Sequence, residues 1–286
     1  MPLLSVSHAQ IYYELYPSSP APHLPLLLLI HGGNGGLDVF RPVAAVLETH
    51  FRVCIYDRRG FSRSPITGPQ DYRSGEARLN TDADDARALI EHLNQHTSNT
   101  DDAKPLPGAV VLGNSSGAIV ALHVLTRHPD VVTTLVAHEP PVTTLLPDRE
   151  AWAARQQVIY DIYRQHGHVA AMGEFRKMVH ADSDPGFVTT GTEENPYFVG
   201  NIIYWFEREV LPYVHSELKL DALEKAKNKL VLVNGKETHV ETPQYLCNVE
   251  LGKRLGLEVK MFEGGHLAFK VDPEVFAKDL RVVLAS

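Results

Sequence analysis

Cysteine is scarce: two residues, Cys54 in "RVCIYD" and Cys247, in a chain of 286. Two thiols make no disulfide framework, and both are expected to be buried and reduced. Long apolar runs are missing as well. The most apolar stretch, "LPLLLLI" (residues 24–30), is far too short to span a bilayer. The first residues, "MPLLSVSHAQIYYELYP", lack a basic start followed by a long apolar stretch, so no signal peptide is expected. There is no basic block either. Lys and Arg number 27 against 35 Asp and Glu, the net charge of −8 is spread along the chain, and the densest basic patch is only "RRGFSR". A nucleic-acid partner needs clustered cations, so none is expected, and neither is a membrane partner. These absences leave a soluble, cytoplasmic, globular protein. No internal repeat is present, and the sequence leaves the oligomeric state open.

What is present is an alternation. "AQIYYELY" (9–16) has the period of a half-buried strand. "LPLLLLIHG", "FRVCIYD", "GAVVLG", "TTLVAHE", "KLVLVNG" and "LEVKMFEGG" are short continuous apolar runs, as in strands buried on both faces of a parallel sheet. Helical patterns fill the gaps. In residues 81–96, Ala86, Leu89, Ile90 and Leu93 form one stripe behind an acidic start. "SGAIVALHVLTRHP" is a second helix, and "DPEVFAKDLRVVL" a third, with Asp272 as N-cap and Pro273 at the first helical position. This is an α/β chain with a mostly parallel central sheet and flanking helices. Residues 140–227 break the rhythm with helical stretches only. They are expected to be a helical cap inserted into a core domain made of 1–139 and 228–286, with a mobile connection at 181–196.

The chemistry concentrates in "VVLGNSSGAIVAL". A strand runs into Gly113-Asn114-Ser115-Ser116-Gly117, and a helix follows at once: G-x-S-x-G in the strand–turn–helix context that makes the central serine a nucleophile. Bulk at either glycine would clash with the neighbouring strand and helix. The Ser116 N–H, at the helix start, is free to meet developing negative charge. A serine hydroxyl needs a general base. Of 15 histidines, His266 in "FEGGHLAF" lies in the loop after the last strand. His166 and His168 read as surface residues rather than metal ligands, and no metal or other cofactor is expected.

With these motifs the chain resembles an α/β-hydrolase over nearly its whole length. By that resemblance "IHGGNGG" is the oxyanion loop, with the Gly33 N–H joining that of Ser116, while His31 props the loop. "YDRRGFSRS" resembles the family's D-x-R-G-x-G-x-S turn, with Asp57 and Arg59 expected as a structural ion pair. His266 stands where the family places its base.

The acid is less direct. The family usually supplies it from the loop after the seventh strand, here "NGKETHVETP", whose expected position holds the uncharged Thr238 between Glu237 and Glu241. Either glutamate would serve if the loop were shifted. Glu139 in "LVAHEPP" is the other candidate, at the end of the strand that lies beside the nucleophile strand in this fold. Fungal lactonases that open the macrolide zearalenone are similar at both places, with a G-x-S-S-G elbow and a His-Glu-x-Pro strand end whose Glu is the triad acid. Asn114 and Pro140 depart from their pattern.

The resemblance implies a serine hydrolase acting on a carboxylic ester or lactone through an acyl-enzyme on Ser115, with Glu139 and His266 completing the triad. Aromatic and flexible residues of the cap suggest a moderately apolar small-molecule substrate, with Asn34, Trp205, Tyr204 and Met172 as candidate contacts. Hydrolysis of a C–C bond, perhydrolysis and hydroxynitrile-lyase-like activity use similar triads, and a non-catalytic ligand receptor on the same fold is a further alternative. An epoxide hydrolase or dehalogenase is disfavoured, because those relatives use Asp at the elbow.

Overall fold

The computed structural model describes residues 2–19, 21, 23–33, 35–95, 108–188 and 195–285. Eight strands form one sheet: β1 (Leu3–Val6), β2 (Ala9–Tyr16), β3 (Leu26–Ile30), β4 (Arg52–Tyr56), β5 (Ala109–Asn114), β6 (Val132–His138), β7 (Leu230–Gly235) and β8 (Val259–Phe262). Their order across the sheet is β1-β2-β4-β3-β5-β6-β7-β8. β1 and β2 pair antiparallel, as do β2 and β4, and every later pairing is parallel. The period-two geometry of β3 divides its leucines between two cores. Leu27 and Leu29 join Phe40, Leu47, Phe276 and Leu280 on one face, whereas Leu26, Leu28 and Ile30 join Leu89, Ile119 and Leu122 on the other. Both faces are therefore apolar, which is why β3 reads as a continuous run rather than an alternation.

Three helices pack together on one side: α1 (Arg41–Leu47), α9 (Ala268–Val271) and α10 (Pro273–Ala285). α2 (Gly75–Gln95), α3 (Ser116–Arg127), α7 (Leu220–Ala226) and α8 (Pro243–Leu255) form another packed set. α10 begins as its cap signal indicates, with Asp272 Oδ1 accepting the Val275 N–H. α2 starts a turn and a half earlier than its acidic stretch suggests, with Ser74 Oγ accepting the Ala77 N–H. Asp82 and Asp85 consequently lie mid-helix and buried instead of at the positive end of the dipole. Asp82 pairs with Arg58 and Arg78, and Asp85 with Arg59. The expected Asp57–Arg59 pair is accordingly not formed. Asp57 instead takes Arg63 at 2.8 Å and the Leu37 N–H, because Arg59 points the other way, onto α2.

Between β6 and β7 lie α4 (Arg149–Met178), α5 (Pro185–Val188), α6 (Phe198–Arg208) and α7, with no strand among the described residues. α4 breaks at Gly167, whose φ of 82° is left-handed. Part of the stretch expected to be a mobile connection is ordered into α5 and the turn before it, and residues 189–194 lie outside the described residues. α6 is tied to the core by Asn201, whose amide bonds Ser62 and the Gly35 carbonyl. α7 packs on α3 and so joins the flanking layer. The main seam is ionic. Glu209, just past α6, grips the buried Arg58 with both oxygens at 2.8 Å, and Tyr213 donates to Asp82 at 2.5 Å. No helix among the described residues is long and apolar enough to cross a membrane. Cys54 and Cys247 are buried and free.

Two outcomes follow from this packing. Glu209→Gln removes the main counter-charge of a buried guanidinium, and urea unfolding is expected to show a loss of about 3 kcal/mol. His123, on α3, is 4% exposed with no partner for Nε2 among the described residues, and burial lowers its pKa from 6.5 to about 4. The unfolded chain therefore binds a proton there that the folded chain refuses between pH 6.5 and 4. This contribution makes stability fall as pH drops through that window and flat outside it. His123→Leu should flatten the stability–pH slope in that window by about 1.4 kcal/mol per pH unit at most, read from urea midpoints at pH 5 and pH 7.

Candidate active site

β5 ends at Asn114, and Ser115 follows with φ 57° and ψ −128°, a conformation that costs a non-glycine residue roughly 1–3 kcal/mol. The flanking glycines make the turn possible. A Cβ on Gly113 would lie 2.4 Å from the Gly117 carbonyl oxygen, and one on Gly117 only 2.2 Å from that of Ile30. α3 starts at Ser116, so its first N–H groups have no acceptor inside the helix.

One strand over, β6 ends at His138, and Glu139 is again left-handed, with φ 55°. Its N–H donates to the Val233 carbonyl, which turns the side chain toward the end of β7. Glu139 has no exposed surface. Oε1 accepts the Gly235 N–H at 2.8 Å, and Oε2 lies 2.5 Å from His266 Nδ1. Burial works to raise its pKa, but the hydrogen bond and charge of His266, followed by His138 and the Gly235 N–H, outweigh it and hold the group below the ordinary carboxylate value. His266 Nε2 is thereby the ring nitrogen left for a reacting group. Of the three candidate acids, only Glu139 meets His266. Glu237 and Glu241 are exposed, and Thr238 is buried with its hydroxyl unpartnered among the described residues.

Asn114 has a use the sequence did not disclose. Its amide Nδ2 donates to the His266 carbonyl at 3.0 Å and to His138 Nδ1 at 3.1 Å. Burial brings His138 down to about 4, so it stays neutral beside the His266 ring. Asp184, from the turn before α5, also passed unnoticed. It accepts the His266 N–H at 2.6 Å and the Gly186 N–H at 2.9 Å. It falls in the stretch 181–196 that the sequence marks as a connection between helices.

His31 is buried. Nδ1 donates to the Gly32 carbonyl at 2.7 Å and Nε2 accepts the Arg58 N–H at 3.1 Å, while burial and the Arg58 charge hold its pKa well below 6.5. Arg58 also donates to the His31 and Gly32 carbonyls, so the loop before Gly33 is strapped to the same guanidinium that Glu209 grips.

Ser115, Ser116, His266 and Gly33 line one cavity of about 1020 Å³. Met172 and Trp205 form part of its wall. The indole lies so close over Gly33 that a Cβ there would be 2.0 Å from Nε1, so only glycine fits. Tyr204 does not reach the cavity. Successive helical residues point about 100° apart, and it faces the core instead, over Gly60 and edge-on to Phe61 at 5.0 Å. Asn34 lies outside the described residues. His166 and His168 do not pair as ligands, but His180, His239 and Glu241 have donor atoms within 4.8 Å of one another. The two rings are stacked, 3.8 Å apart and 2° from parallel, so their in-plane lone pairs do not converge on one point.

Among proteins of known sequence, the chain is 29% identical over 285 residues to the uncharacterized hydrolase YraK of Bacillus subtilis, covering 98% of this chain and 94% of that one. It is 28% identical over 144 residues to a putative carbamate hydrolase, RutD, of Escherichia coli O157:H7, covering 50% and 48%. Among solved structures it resembles the enol-lactonase of Burkholderia xenovorans LB400, with TM-score 0.67, 17% identity and full coverage of both chains. A thermophilic esterase of Thermogutta terrifontis matches with the same TM-score and identity over 97% and 93%. At these identities the structural matches speak for the fold. A family model describing the alpha/beta hydrolase fold matches residues 25–273, and the chain belongs to that family.

Proposed function

We propose that the protein is a serine hydrolase that cleaves a carboxylic ester or lactone through an acyl-enzyme on Ser115. The observation that carries this reading is the buried Glu139–His266 contact at 2.5 Å, on a cavity shared with a serine in strained backbone. Ser115 Oγ attacks the substrate carbonyl carbon as His266 Nε2 takes its proton. Glu139 holds the Nδ1–H, fixing the tautomer and stabilising the imidazolium. The oxyanion is received by the N–H groups of Gly33 and Ser116, which Arg58 and the elbow hold in place before the reaction. Collapse of the tetrahedral intermediate expels the alcohol, which takes the proton from His266. Water then repeats the sequence on the acyl-enzyme, and for a lactone the alcohol stays tethered to the acid released.

The helices over the site act as a cap, and their side chains define the acyl and alcohol pockets. Met172, Phe175, Phe187, Ile202 and Trp205 make a largely apolar enclosure, which favours a moderately apolar small molecule. Neither a cofactor nor a nucleic-acid partner enters the scheme. Two buried free thiols suit a reducing compartment, and a cytoplasmic location is proposed on that ground.

A fluorophosphonate probe is expected to label the protein at Ser115, with labelling lost in Ser115→Ala. Absence of labelling, with no turnover of any p-nitrophenyl ester or lactone, would point to a ligand receptor instead. Glu139→Gln should lower kcat by roughly 10³–10⁴-fold, whereas Glu237→Ala and Glu241→Ala stay within about twofold, since their carboxylates stand in solvent. Full activity in Glu139→Gln with loss in Glu241→Ala would reverse the assignment of the acid.

A further inference from the structure

Asp184 is 5% exposed, yet among the described residues no Lys, Arg or His side chain pairs with it. A buried carboxylate without a cation is costly unless its oxygens are saturated by strong donors. Two backbone N–H groups do this. The bond to Gly186, two residues on, is a local Asx-type turn that any aspartate before a helical turn can make. The bond to the His266 N–H, at 2.6 Å and 82 positions away in sequence, has no such local cause. Room for it is made by Gly265, where a Cβ would sit 2.5 Å from Asp184 Oδ2. The second glycine of "GGH" thus has a steric reason beyond loop freedom. Phe187, on α5 just after it, stacks on the His266 ring, 4° from parallel with centroids 5.8 Å apart.

His266 is therefore held from two sides. The sheet supplies Glu139 at Nδ1 and Asn114 at the carbonyl. The segment overhanging the site supplies Asp184 at the N–H and Phe187 at the ring face. We propose that Asp184 is a positioning residue: through the His266 N–H it fixes the histidine loop from the cap side, so that the imidazole is in register with Ser115 only while residues 181–187 are seated. Cap seating and general-base competence become one event. This rests on the acyl-transfer reading for its catalytic consequence, but the hydrogen bond itself is testable without any substrate.

The test compares Asp184→Ala, Asp184→Asn and, as a control, Asp182→Ala, whose carboxylate is exposed and bonds Arg176. Amide hydrogen exchange of the segment around His266 should accelerate at least about tenfold in Asp184→Ala, as loss of a buried hydrogen bond permits local opening. It should stay at the wild-type rate in Asp182→Ala. On a p-nitrophenyl ester, kcat per fluorophosphonate-titratable site should fall roughly 100-fold in Asp184→Ala, with KM within about threefold, since the reacting atoms are misplaced rather than the pocket emptied. Asp184→Asn, whose amide oxygen can still accept the His266 N–H, should recover most of that loss. Unchanged exchange in Asp184→Ala overturns the proposal whether or not the protein turns over an ester. A loss of rate that only tracks the titratable fraction also overturns it, since that is a folding defect. A wild-type protein that is neither labelled nor active would defeat the acyl-transfer reading alone, and the exchange comparison would still decide what Asp184 holds.

Discussion

A carboxylate with no exposed surface survives at the end of β6 because one imidazole and one amide close over it. The Glu139 side chain reaches the His266 Nδ1 and the Gly235 N–H only because residue 139 is left-handed and its own N–H is anchored on β7. That arrangement couples three strand ends. β5 presents Ser115, β6 presents Glu139, and β7 with the loop after β8 brings His266 back toward them. Two of the non-glycine residues with positive φ, Ser115 and Glu139, stand just past neighbouring strands, bridged by the Ser115 N–H to the His138 carbonyl. Strain of this kind persists only where the surroundings over-determine the backbone, and here the sheet supplies that constraint.

The segment between β6 and β7 reaches two loops of the site. Glu209 reaches the loop before Gly33 through Arg58, and Asp184 reaches the loop of His266 directly. Each is a buried carboxylate, and each acts on backbone: Arg58 on two carbonyls, Asp184 on an N–H. Two loops from distant parts of the chain are thereby referenced to the same overhanging segment. The apolar wall follows the same logic, since Trp205 packs so closely on Gly33 that the loop and α6 share one surface.

Much of this was legible along the chain because it is local. Continuous apolar runs mark strands covered on both faces, and the burial of β3 and β4 throughout is what that pattern means physically. The G-x-S-x-G turn could be read from its glycines because the clashes that forbid a side chain involve backbone within a few residues or in the adjoining strand. Pairings across the fold were less legible. Asp57 and Arg59 stand two apart and suggested a pair, but their side chains diverge, to Arg63 and to Asp85. Tyr204 and Trp205 looked alike as cap aromatics, and helical geometry sends one to the core and the other to the cavity.

By itself the sequence determined the α/β layering and the G-x-S-x-G turn, since each follows from periodicity or backbone sterics over a short span, while the short set of candidate acids is what the family resemblance implies. Only the tertiary structure decided which acid meets the imidazole, and that Asp184 and Asn114 hold His266 at its two backbone groups. The physical reason is reach. A hydrogen bond acts over about 3 Å, and which groups come within that distance across 127 or 82 residues of chain is set by strand order and helix packing, not by any pattern along the sequence.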